Sequence, residues 1–298
     1  MIEPIEKYLL QLQRSGISPE VIRQGLTRYY IPLRFAEEGL TEKEKNKFKN
    51  QEEKVIEEID FFSKRDIKFC SIYQPTYPFI FRRGMRTPVC FWYKGDLSLL
   101  NEVEYEDPPK TAKPAHFNTV AIVGSRKCEK QTLDLTNDIV DEMVKRKKII
   151  LSGLAKGIDG QAHKRCLEVG GKTVAFVPTA LTDCYPAEHQ ELLKEIEEKG
   201  LVVSTFGLHE TVGRDTFFER TRTLLHSTEI VIVPDGKPRS GTSFTVREAS
   251  QQSYEYFTFD ELKKKIYLFP QAHDVVREIK SNMFLIETVE ELVKGITS

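Results

Sequence analysis

The stretch Thr119–His163 constrains the architecture more than any other part of the chain. It opens with a short apolar run, Thr119–Val123, that ends at Gly124-Ser125-Arg126. Behind it Leu135, Ile139, Val140, Met143 and Val144 recur at helical spacing, so one face of a helix packs on a sheet. Lys145-Arg146-Lys147-Lys148 closes that helix, and Ile149-Ile150-Leu151 begins a second strand. Strand, helix and strand within about thirty residues make a βαβ unit, and hence a parallel sheet. Both strands end in small residues, Gly124-Ser125 and Ser152-Gly153, each followed by a helix start. In open α/β sheets ligands bind beyond the carboxyl ends of the strands, where helix N-termini offer free N–H groups to anions. A ligand is therefore expected over Gly124–Arg126 and Ser152–Asp159, and it is expected to be anionic.

The alternation continues along the chain. Strands are predicted at 119–123, 149–151, 173–177, 201–204, 229–233, 266–269 and 283–287. Helices are predicted at 131–146, 159–169, 187–199, 218–226, 243–251 and 288–295, with one more between the last two strands. This is the pattern of an α/β, Rossmann-like, doubly wound parallel sheet. Gly170 and Gly200 fall just past helix ends and read as left-handed caps. Residues 1–65 read as helical instead. Ser18-Pro19-Glu20 has proline at a first helical position, and Thr41–Glu44 is a capping box opening a long charged helix through Phe62. The expected organisation is a small N-terminal helical domain, 1–65, and an extended Rossmann-like domain, 66–298. Short β-rich runs with proline punctuation occupy 67–93. An acidic, proline-containing loop is expected at 101–117, and an insertion rich in aromatics and lysines at 254–265.

Composition excludes several classes. No apolar run approaches the ~20 residues of a membrane span, and Met1-Ile2-Glu3-Pro4 starts no signal peptide, so a cytoplasmic protein is expected. The five cysteines are scattered singly without a C-x-x-C, which argues for free thiols. Cys184 and His189 have no second pair to complete a zinc site, so neither metal nor cofactor is expected. Gly171-Lys172-Thr173 precedes a strand rather than following one, and Cys166 stands where a P-loop needs its first glycine. A strict G-x-G-x-x-G is also missing, which disfavours a dinucleotide oxidoreductase. With 44 basic and 45 acidic residues the net charge is −1. Any nucleic-acid surface must then be local, because phosphate neutralisation supplies most of such affinity.

Candidate binding residues follow from the strand ends. In Ser152–Asp159 the small residues Ser152, Gly153 and Gly157 let backbone approach a phosphate, and Lys156 adds charge. Asp159 reads as a cap for the following helix, with a catalytic carboxylate as the alternative. His163 reads as a packed helix residue. Arg126 points at the same mouth, where a guanidinium suits two phosphate oxygens. Arg220 and Arg222 alternate at an expected helix start, either clamping phosphates or pairing with Glu219 or Glu229. Arg239-Ser240-Gly241-Thr242 is a further strand-to-helix turn of the same kind, and Glu248 reads as helix surface.

These motifs together carry a family resemblance. VAIVGSR, LSGLAKGIDGQAH, TVAFVPTALTDCYP, LVVS, FFERTRTLLHSTEIVIV and PRSGTSFTVREA occur in the order found in the DNA-processing protein DprA family, also called Smf. The resemblance runs from Phe69 to Val293 and places the fold in the wider SLOG superfamily. It implies a non-catalytic, homodimeric protein of DNA uptake and recombination that binds single-stranded DNA and assists a RecA-type recombinase. It also implies phosphate contacts from Gly124, Ser125, Arg126, Lys156, Arg220, Arg222 and the 239–242 turn, with bases stacked on Phe217 or Phe218. Some positions depart from the family. Thr221 replaces an asparagine between the two arginines, Ala187 a backbone-holding lysine, and His189 a second asparagine. A rival reading is a SLOG-type sensor or hydrolase of a small nucleotide, possible in a phage-defence system. Thr245 stands where the phosphoribohydrolases of that superfamily carry a glutamate, which argues against the hydrolase.

Overall fold

Among the described residues nine strands join into one sheet, and seven of them are the parallel strands that the sequence pattern predicts. The computed structural model describes residues 2–82, 84–101, 103–104, 116–251, 265–275 and 280–297. Most of the 101–117 loop, nearly all of the 254–265 insertion and Lys263-Lys264 lie outside the described residues. The sheet strands are β1 (Lys68–Ser71), β2 (Cys90–Gly95), β3 (Thr119–Ile122), β4 (Ile149–Ser152), β5 (Thr173–Phe176), β6 (Leu201–Ser204), β7 (Ile230–Val233), β8 (Lys265–Leu268) and β9 (Met283–Leu285). Their order is β1-β2-β6-β5-β4-β3-β7-β8-β9. From β6 to β9 every pairing is parallel, and β3 to β6 are buried on both faces, as helix-covered parallel strands must be. The β-rich segment at 67–93 adds β1 and β2 to the same sheet, antiparallel, beside β6.

Helices cover both faces. Lys130–Lys145 buries Thr132, Thr136, Ile139, Val140 and Met143, the spacing of a single helical stripe. With Ile158–Glu168 it covers Val120, Ile122, Ile150 and Ile232. Leu224, Leu225, Val246 and Ala249, from Arg214–His226 and Gly241–Gln251, pack on the opposite face against Ala121, Val231 and Val233. Leu9, Leu10, Leu12, Val55 and Phe62 of the N-terminal helices form one apolar cluster with Trp92, Ala175 and Val202. A buried polar knot ties them down further. Arg14 donates to both carboxylate oxygens of Glu58 and to Thr205 O, while Trp92 Nε1 donates to Glu58 Oε1 at 2.7 Å.

Two local expectations are corrected. The charged helix from Thr41 is two helices, Glu42–Lys49 and Glu52–Ser63. Phe48 O accepts from Gln11 Nε2 at 2.7 Å and from the Gln51 N–H at 3.1 Å, bonds that replace the one a continuous helix would need. Gly170 is left-handed at φ 74°, but Gly200 is extended at φ −139°. Glycine is required at 200 for closeness instead, since a β-carbon there would overlap Thr173 O. Where a helix is expected after β8, a 3-10 helix spans Pro270–Val275, and residues 276–279 lie outside the described residues.

Candidate functional site

Strand order reverses at β3: β4, β5 and β6 lie on one side of it, β7, β8 and β9 on the other. Loops leaving β3 and β7 diverge there, which opens a crevice beyond their carboxyl ends. A pocket of about 460 Å³ fills this crevice. One wall is Gly124–Lys127 after β3, another is Lys237 and Ser240–Thr242 after β7, and Phe217, Phe218 and Arg220 of Arg214–His226 close the third side.

Asp159 organises the floor. It lies in the first turn of Ile158–Glu168, one residue past that helix's first position, and is 5% exposed. It does not cap the helix, the role its sequence position suggests: Ser125 O takes the Ile158 N–H at 3.2 Å and Ala155 O the Gly160 N–H at 2.9 Å, while the carboxylate reaches sideways to the strand ends. Oδ1 accepts the Gly124 N–H at 3.3 Å and Oδ2 the Gly153 N–H at 3.2 Å. The Ser125 N–H is likewise taken, by Asp235 O at 3.1 Å. Three amides that the strand ends offered to an anion are thus already satisfied within the protein.

Arg220 lies over Gly153, where a β-carbon would overlap its guanidinium, so the glycine makes room for a cation. Arg220 Nη1 is 3.8 Å from Asp159 Oδ2, Arg220 is 8% exposed, and its Nε has no partner among the described residues. Burial pushes the Asp159 carboxyl above the ordinary carboxylate range, against the pull of Arg220 and the backbone N–H groups. Burial also lowers the Arg220 pKa, a shift that Asp159 opposes and Arg126 reinforces. Each charge is held by the other in a site that solvent barely reaches.

Around this floor the rim is basic and aromatic. Arg126, Lys127 and Lys237 are exposed. The Arg126 guanidinium stands 5.1 Å from the Phe217 ring centre and that of Arg220 6.0 Å, within cation–π range. Tyr185 meets Phe217 edge-on at 5.3 Å, and Phe218 stacks on Phe244 at 4.1 Å. Among the described residues four cations and one carboxylate therefore line the pocket, a local positive field on a chain of net charge −1.

Of the residues singled out from the sequence, Gly124, Ser125, Arg126, Phe217, Arg220, Ser240, Gly241 and Thr242 line this pocket. Ser152 is fully buried, its Oγ donating to Ile122 O at 2.6 Å, and Gly153 lies beneath Arg220. Gly157, at φ 74°, packs under Ser125 O. Lys156 lies outside the pocket and pairs with Glu188. Arg239, also left-handed at φ 58°, supports the turn without lining the cavity. The paired-arginine clamp is corrected by the longer helix: it begins at Arg214, so residues two apart diverge by about 200° around it. Arg222 consequently faces a neighbouring cleft and pairs with Glu248 at 2.8 Å, in place of the expected Glu219 or Glu229. His163 is fully buried, with Nδ1 2.7 Å from Thr173 Oγ1, and burial together with His189 and Arg220 lowers its pKa to about 3. Lys127, Lys237, Phe244 and Tyr185 went unrecognised in the sequence. For Lys237 the signal was available, since it lies in the loop leaving β7 just before the turn already singled out.

A model of the family described as DNA recombination-mediator protein A matches residues 68–295. The DNA processing protein DprA of Streptococcus pneumoniae is 34% identical over 187 residues, 63% of this chain and 61% of that protein. Protein Smf of Synechocystis is 30% identical over 174 residues, 58% of this chain and 41% of its own length. The match spans less than two thirds of either relative. Among solved structures, DNA processing protein A from Streptococcus pneumoniae has a TM-score of 0.76 at 24% identity, covering 97% of both chains. DNA processing protein A from Helicobacter pylori, described for a unique single-stranded DNA binding mode, has a TM-score of 0.61 at 22% identity and covers 78% of this chain and 97% of its own. Both establish the fold.

Proposed function

Because the chain belongs to the DNA recombination-mediator protein A family, we propose that it binds single-stranded DNA at the crevice beside β3 and β7 and turns over no substrate. One observation carries this reading: Arg126, Lys127, Lys237 and Arg220 converge on an aromatic wall in a chain with no overall basic excess. Rim cations neutralise backbone phosphates, while Phe217 and Phe218 offer ring faces to unpaired bases, a combination that suits single strands. The Helicobacter pylori protein, described for its single-stranded DNA binding mode, supports the assignment. Thr245 donates its hydroxyl to Gly241 O, and Asp159, the one carboxylate among the described lining residues, is engaged by two amides and Arg220. These engagements support binding rather than turnover as the role of the site. A homodimer that hands DNA to a RecA-type recombinase, and a division of the chain at residue 65, complete the proposal.

A second reading, a small nucleotide as ligand, has one observation in its favour. The pocket's volume, about 460 Å³, falls in the range of small-molecule sites. Fluorescence anisotropy separates the two: labelled oligo-dT, the equivalent duplex and a panel of nucleotides are titrated at low salt. Tighter binding of the single strand than of duplex or any nucleotide is expected. A nucleotide that binds while oligo-dT does not would overturn the DNA assignment. Prolonged incubation with nucleoside monophosphates, NAD and DNA should release neither base nor phosphate.

A further inference from the structure

The pocket holds its cations at two depths. Arg126, Lys127 and Lys237 stand exposed at the rim, whereas Arg220 is 8% exposed on the floor with its Nε unpartnered among the described residues. Beside Arg220 the helix Gly241–Gln251 turns its N-terminus to the cavity. Ser240 Oγ caps the Ser243 N–H at 3.2 Å, but the N–H groups of Gly241 and Thr242 have no partner among the described residues. A helix N-terminus with free amides and a buried, incompletely bonded guanidinium face the same space, which is a built anion site.

We propose that this floor receives the terminal phosphate of a strand, a phosphate monoester, rather than an internal phosphodiester; the proposal rests on the single-strand reading above. An internal phosphodiester carries chain on both sides. To bring it down to Arg220, both flanking nucleotides would have to enter a cavity of about 460 Å³, a volume typical of one small ligand. A terminal phosphate carries chain on one side only, so a single nucleotide fills the pocket and the rest of the strand leaves across the rim. Charge points the same way. A monoester approaches two negative charges at neutral pH, its second pKa being about 6, against one for a diester. Among the described lining residues four cations stand against the one carboxylate, Asp159, and with Arg220 paired to it the three rim cations that remain match the dianion better. Phe217 and Phe218 on the side wall are placed to take the terminal base.

The test uses dT oligonucleotides of one length, labelled at the far end, that carry a phosphate or a hydroxyl at the 5′ or the 3′ end. Thymidine 5′-monophosphate and thymidine serve as competitors. A phosphate at one end should tighten binding by at least about fivefold over the same strand with a hydroxyl, and Lys237→Gln, an exposed change, should shrink that preference. Equal affinity for phosphate and hydroxyl ends would overturn the inference and leave strand binding intact, as would a preference unchanged in Lys237→Gln. If no strand binds but the monophosphate does and thymidine does not, the monoester site stands and the single-strand reading falls. If none of these ligands binds, both fall.

Discussion

Replacing Asp159 by asparagine distinguishes the two roles open to a carboxylate near a helix start. As an N-cap, asparagine performs about as well as aspartate, so a capping Asp159 would tolerate the change. Its geometry predicts otherwise. The carboxylate accepts from Gly124 and Gly153 and lies 3.8 Å from Arg220. Asparagine has one acceptor oxygen, so it keeps one amide and turns an NH2 donor toward the other. Leaving a buried N–H without an acceptor costs about 1–3 kcal/mol. Removing one charge of a buried pair costs about 3–5 kcal/mol. The two overlap, and burial already disfavours this carboxylate, as its raised pKa records. We expect a net loss of about 3–4 kcal/mol. With an m-value near the upper end of the urea range, about 3 kcal/mol/M for a chain of this size, the urea midpoint should fall by about 1 M. Circular dichroism in a urea titration reads this directly, and Asp159→Ala should fall at least as far. A midpoint within about 0.2 M of the parent would refute the bridging role and restore the cap.

Other perturbations report on the same floor and its surroundings. Folded His163 stays neutral down to about pH 3 while the unfolded chain protonates it near 6.5, so its contribution is complete above pH 6.5 and is lost as pH falls toward 3. That amounts to about 2 kcal/mol by pH 5. Urea titrations at pH 7.5 and 5 should show it in the parent and not in His163→Gln; an identical pH response in both would exclude it. Gly153→Ala pushes a methyl into the Arg220 guanidinium and should weaken oligo-dT binding by about 1–3 kcal/mol; unchanged affinity would remove Arg220 from the binding surface. Arg222→Ala should leave binding unchanged and lower stability by less than about 1 kcal/mol, because its partner Glu248 is reached at the surface. A marked loss of affinity would return Arg222 to the site.

Much of this was legible in the chain because it rests on local signals. Alternating apolar runs place β3 to β7 within a residue or so at each end, and the strand-end glycines point to the crevice that the pocket occupies. What was not legible depends on contacts distant in sequence. Nothing near Lys156 reveals that Glu188, 32 residues on, pairs with it. Nothing near Asp159 shows that it spends both oxygens on the ends of two different strands. The start of the helix at Arg214, four residues before its apolar pattern suggests, decides which arginine faces the pocket. Glycine spacing indicated close approach at 153 and 157, but the approaching groups are the protein's own Arg220 and Ser125 rather than a ligand.

The salt dependence of oligo-dT affinity tests most directly whether the crevice grips phosphates. Arg220 is paired with Asp159, which leaves Arg126, Lys127 and Lys237 as the rim cations able to displace counterions. Three neutralised phosphates on a single strand give a slope of log affinity against log salt of about −2, at about −0.7 per phosphate. Anisotropy titrations from low to physiological salt should return that slope, and Lys237→Gln should flatten it by about 0.7. A slope near zero, or one unchanged in Lys237→Gln and Arg126→Ala, would mean that phosphates are not held here and would contradict the proposed function.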